Sequence, residues 1–120
     1  MRRILVVDDD KDILEIIEYV LQDSGYKVDT LTDGHFLFDK VRAFKPDLVI
    51  LDIMLGNMDG RELCRNIKTN LETHNIPVIM ISASHALADI NSPNGKPDAF
   101  ISKPFDIDAL LSCVHQQIVA

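Results

Sequence analysis

Short apolar runs at residues 4–7, 28–31, 48–51, 78–81 and 100–101, most of them rich in β-branched side chains, are separated by stretches with a different rhythm. Ile13, Leu14, Ile16, Ile17, Val20 and Leu21 recur at helical spacing, and so do Ile107, Leu110, Leu111, Val114 and Ile118. Weaker helical patterns cover residues 37–44 and 63–71. Strands that alternate with helices must run parallel, because each return to the same edge needs a crossover, and right-handed crossovers cover both faces of the sheet. The unbroken runs Leu48-Val49-Ile50-Leu51 and Val78-Ile79-Met80-Ile81 agree, since a strand buried on both faces has no polar side to show. The pattern predicts an α/β domain: a doubly wound, five-stranded parallel sheet with five helices.

Local signals set expected boundaries. Asp10 stands before the first helix and Asp33 before the second, while Asp59 with Glu62 resembles a capping box before the third. The fourth helix is expected to be short or irregular. Ala86, Leu87, Ala88 and Ile90 permit a helix, but Asn91-Ser92-Pro93-Asn94-Gly95 stops it, so a loop should run on to about residue 98. With 120 residues and neither a repeat nor a low-complexity tract, the chain reads as one domain over residues 1–120.

A formal net charge of −7 opposes attraction to nucleic acid and to anionic lipid, so neither is expected as a direct partner. The apolar run after Met1 is too short for a signal peptide and no segment approaches membrane-spanning length, which points to the cytoplasm. Cys64 and Cys113 are far apart and form no metal-binding motif, so both read as small hydrophobes.

In open parallel sheets, ligands bind beyond the carboxyl ends of the strands, near the point where strand order reverses. Strand one ends in Asp8-Asp9-Asp10, strand three in Asp52, strand four in Ser82 and strand five in Lys103-Pro104. Crowded carboxylates repel one another unless a cation neutralises them, and hard oxygen donors that leave room for water suit Mg²⁺. Asp9 and Asp52 are the expected direct ligands, with Asp8 acting through water. An aspartate carboxylate can also attack a phosphorylated donor to give an acyl phosphate. Lys103 would then supply a positive charge to the phosphoryl oxygens and Ser82 a hydroxyl donor. Asp10 by itself reads as a helix cap.

The segments Val6-Val7-Asp8-Asp9-Asp10, Leu51-Asp52-Ile53-Met54-Leu55, Met58-Asp59-Gly60, Ile81-Ser82-Ala83 and Ser102-Lys103-Pro104-Phe105 resemble the receiver domains of two-component response regulators. The resemblance spans the chain. It implies that Asp52 is the phosphoacceptor, that Asp8 and Asp9 form the acid pocket, and that the Met54 carbonyl is a further Mg²⁺ ligand. It also makes Ser82 the switch hydroxyl, Phe100 the switch aromatic and Lys103 the phosphate-binding lysine, and implies a flavodoxin-like fold with strand order 2-1-3-4-5 and a cis Lys103-Pro104 bond. The implied partners are a sensor histidine kinase or histidine phosphotransfer protein and a downstream output protein or domain, with a homodimer allowed. Such a chain is a signalling phosphoacceptor in a phosphorelay, not an enzyme beyond its own phosphorylation and dephosphorylation.

Gly56 stands where the family usually has proline, which should loosen the loop after Asp52. Three other readings compete. A haloacid-dehalogenase-type Mg²⁺-dependent phosphatase would carry its nucleophile on strand one and leave Asp52 without a role. A flavodoxin-like cofactor binder would not place three aspartates where a phosphate must sit. A receiver that is never phosphorylated would act only as an interaction module, yet every chemical position here is filled.

Overall fold

The computed structural model describes residues 1–82 and 96–119. Five strands, β1 (Arg3–Val7), β2 (Lys27–Leu31), β3 (Leu48–Asp52), β6 (Val78–Ser82) and β7 (Ala99–Ser102), pair in parallel in the order β2-β1-β3-β6-β7. Two further short strands, β4 (Met54–Leu55) and β5 (Met58–Asp59), form a separate antiparallel hairpin after β3. Omitting that hairpin, the order is the expected 2-1-3-4-5.

The described helices are α1 (Lys11–Asp23), α2 (Leu37–Phe44), α3 (Gly60–Thr69) and α4 (Ile107–Val119). Four helices are therefore found among the described residues where five were expected. The short helix expected within residues 84–98 falls mostly outside them.

Alternation along the strands sorts the core into two layers. Leu5, Val7, Val49, Leu51, Val78 and Met80 meet Leu37 and Val41 of α2 and Leu63, Cys64 and Ile67 of α3. Ile4, Val6, Leu48, Ile50, Ile79 and Ile81 meet Leu14, Ile17 and Leu21 of α1 and Leu110 and Val114 of α4. Strands β3 and β6 are buried at every residue, so their continuous apolar runs reflect cover on both faces.

Helix ends follow from side-chain chemistry, with instructive exceptions. The Asp10 carboxylate accepts from the N–H groups of Asp12 and Ile13, as expected of an N-cap. At the other end of α1, Gly25 has φ +96° and the N–H groups of Gly25 and Tyr26 return to the carbonyls of Gln22 and Leu21, a Schellman closure. Asp33 does not cap α2. Its carboxylate accepts from the His35 N–H in a tight turn, and the helix begins beyond Phe36 with no side-chain cap. Asp59 caps α3 by accepting from the Arg61 N–H, so that helix starts at Gly60 and leaves Leu71 outside it and exposed.

At the amino ends of the strands, two aspartates tie neighbouring strands. Asp47 accepts from the Arg3 N–H at 2.8 Å, and Asp98 accepts from the Val78 N–H at 2.8 Å. Asp98 also takes the Lys68 ammonium at 2.8 Å, and Lys68 donates to the Ile76 carbonyl as well. One carboxylate thereby holds α3, β6 and the start of the edge strand β7. Asp98→Ala strips a partner from both a backbone donor and a largely buried ammonium, and should cost about 1–3 kcal/mol in urea unfolding. Asp98→Asn, which keeps an acceptor for Val78, should cost less; equal stability of Asp98→Ala and the parent chain would contradict this assignment.

Candidate functional site

Strand order reverses across β1, so the carboxyl ends of β1 and β3 flank the crevice where open parallel sheets hold their ligands. Asp8 follows the last residue of β1, and Asp52 is the last residue of β3. Both are buried, at 1% and 4% exposure, whereas Asp9 faces solvent. Carboxylate oxygens of Asp8, Asp9 and Asp52 lie within 4.8 Å of one another, the only such acidic or metal-ligating group among the described residues.

Each oxygen of the two buried acids has a partner. Asp8 Oδ1 accepts from the Asp10 N–H at 2.9 Å, and Asp52 Oδ1 accepts from the Met54 N–H at 3.2 Å. Their Oδ2 atoms both accept from the Lys103 ammonium, at 3.1 Å each. Lys103 arrives from the opposite edge of the sheet. It follows β7, its own N–H donates to the Ser82 carbonyl at 2.9 Å, and the Lys103-Pro104 bond is cis as expected.

Burial by itself lowers the Lys103 pKa, but hydrogen bonds and charge from Asp8 and Asp52 outweigh it and hold the ammonium above the ordinary lysine value. Asp8 moves up as well. Its burial, reinforced by the charge of Asp52, outweighs the Asp10 N–H and the Lys103 ammonium that favour its ionised form.

Ser82 is buried at the end of β6, paired in register with Ser102 of β7, and Asp52 pairs with the preceding residue Ile81. Phe100 lies half-buried on β7 against the α2/α3 layer of the core. The structure thus brings Asp8, Asp52, Lys103 and Ser82 to one sheet edge, with Asp9 at its rim and Phe100 packed farther down the edge strand. Cys64 takes no part: burial pushes its thiol up to about 12, which leaves it a protonated core residue.

Sequence reasoning did not find the β4–β5 hairpin. Gly56 has φ +60° at the first central position of its two-residue turn, as a type II′ connection requires, and proline cannot adopt that angle. The departure from proline is therefore a change of loop shape. A glycine two residues before Met58 was the signal available.

The family model for the response regulator receiver domain matches residues 4–115. The chain belongs to that family. A CheY-like response regulator receiver domain protein from Methanospirillum hungatei is 28% identical with a TM-score of 0.90, over 98% of this chain and 94% of that one. The signal receiver domain of a histidine kinase from Syntrophus aciditrophicus is 29% identical with a TM-score of 0.89, over 99% and 91%. NtrX from Brucella abortus is 32% identical with a TM-score of 0.85, and the likeness covers 97% of this chain but 27% of NtrX. Receiver domains are the phosphoacceptor modules of two-component signalling, working with histidine kinases and output domains. The phosphatase and flavodoxin-type alternatives are thereby set aside. Among the described residues, no helix is long and apolar enough to cross a membrane.

The raised pKa of Asp8 has a definite consequence for stability. A carboxyl whose folded pKa exceeds its unfolded value favours folding below the unfolded value, near pH 4, and that contribution is lost as pH rises through the folded value. In chelator, Lys103→Met should therefore lose more stability relative to the parent chain at pH 7 than at pH 4, as followed by urea unfolding. A pH-independent difference would show that the ammonium does not offset these acids.

Proposed function

We propose that Asp52 is the phosphoacceptor of this receiver. The observation that carries the reading is a buried carboxylate at the end of a central strand, held by Lys103 and the Met54 N–H and adjoined by two more acids. A carboxylate oxygen of Asp52 attacks the phosphorus of a phosphohistidine, the P–O bond forms as the P–N bond breaks, and the imidazole leaves. The Lys103 ammonium then pairs with the phosphoryl oxygens, and the Ser82 hydroxyl donates to another.

Asp9, Asp52 and the Met54 carbonyl would hold Mg²⁺ directly, with Asp8 joined through water; this all-oxygen, partly open donor set fits that ion. When bound, the ion supplies charge neutralisation for the transferring phosphoryl group. Only one arrangement of Ser82 and Phe100 satisfies the new phosphoryl oxygens, so phosphorylation shifts an equilibrium between two arrangements that an output protein or domain reads.

The donor is a histidine kinase or a histidine phosphotransfer protein, in keeping with a cytoplasmic setting. An apolar groove of about 500 Å³, lined by Ile13, Ile16, Pro104, Phe105 and Ile107, adjoins the Lys103 stem and gives such a donor a face beside the acceptor.

The test is incubation with acetyl phosphate and Mg²⁺, read by intact mass. The parent chain should gain one phosphoryl group and Asp52→Asn none. Equal labelling of both would move the acceptor elsewhere, and labelling of neither would favour a receiver that acts without phosphorylation.

A further inference from the structure

Among the described residues, the only glycine whose added side chain would strike the backbone of the proposed acceptor is Gly60, the buried first residue of α3. A Cβ there would overlap the Asp52 carbonyl oxygen and come within 2.9 Å of both the Asp52 carbonyl carbon and the Ile53 Cα. Gly60 does not have a positive φ, so its dihedral angles do not call for glycine. In a helix, glycine is less favourable than alanine, so space is the remaining physical reason for it here.

The backbone it touches cannot readily yield. Asp52 ends a strand paired on both sides, and the Ile53 N–H donates to the Ile81 carbonyl at 3.1 Å. The Gly60 N–H in turn donates to the Ile53 carbonyl at 2.7 Å and closes the loop that contains the hairpin. At the hairpin's tip, Gly56 has nothing within 4 Å of a Cβ position, while Leu55 and Met58 beside it pack into the core. The base of the loop is fixed by that Gly60–Ile53 hydrogen bond. Within that loop lies Met54, whose N–H donates to Asp52 Oδ1.

We infer that Gly60 is a positioning residue for Asp52: its lack of a side chain lets α3 start against the Asp52–Ile53 peptide, which sets the placement of the Asp52 carboxylate and of the Met54 amide and carbonyl. The inference rests on Asp52 being the acceptor and adds which residue holds it. Gly34 is the natural control. It too is buried and crowded, but its Cβ would meet Leu63 Cδ1 at 2.5 Å and Met58 Sδ at 3.2 Å, atoms near the ends of flexible side chains.

Gly60→Ala and Gly34→Ala are compared with the parent chain for acetyl phosphate labelling per folded molecule and for the Mg²⁺ concentration that half-completes the thermal shift. Trimethylamine N-oxide is present throughout to keep weakened variants folded. Gly60→Ala should slow labelling by roughly tenfold or more and raise the half-saturating Mg²⁺, since small misplacements of reacting groups are costly. Gly34→Ala should lose stability while both readouts stay near parental values. Parental rate and Mg²⁺ response in folded Gly60→Ala, or equal loss in both variants, would overturn the inference. A parent chain that takes no phosphoryl group would instead overturn the reading of Asp52 as acceptor.

Discussion

The Lys103 ammonium between Asp8 and Asp52 is the interaction on which the rest of the sheet edge depends. Two carboxylates buried at the ends of adjacent strands repel each other in a medium that screens poorly, and desolvation penalises both. One cation bridging their Oδ2 atoms offsets that cost. It also joins β7, at one edge of the sheet, to β3 and β1, two and three strands away. Removing one member of a buried ionic group commonly costs about 3–5 kcal/mol, because the others are left without a counter-charge.

Much of this was legible in the sequence for a simple reason: parallel strands buried on both faces read as unbroken apolar runs. Residues 48–51 and 78–81 could hardly have been anything else, and each carries its chemical residue just beyond. Asp10 was readable as a cap because the helical period begins immediately after it. Asp33 was not, since an aspartate caps whichever N–H lies nearest, and here that is the turn at His35. The β4–β5 hairpin was hidden because strands of two residues have no periodicity to detect. The pairing of Lys68 with Asp98 was hidden for a different reason, being a contact across thirty positions that no local pattern announces.

The two ends of the sheet divide the work. At one end Asp47 and Asp98 satisfy strand N–H groups and pin β7 to α3, a purely structural use of carboxylates. At the other, two buried carboxylates share one ammonium. Aspartate serves both ends, and its environment decides between cap, clamp and site. Glycine is similarly divided: Gly25 and Gly56 supply a backbone angle, while Gly60 supplies room.

The most direct test of this account is the thermal midpoint of the chain as Mg²⁺ is raised into the millimolar range, in the parent and in Asp9→Ala and Asp52→Ala. Ligand bound only by the native state raises the midpoint, and does so further the more its concentration exceeds its dissociation constant. The account predicts a clear rise for the parent and a much smaller one for each variant. An equal rise in all three, or none in the parent, would contradict a cation site built from these acids.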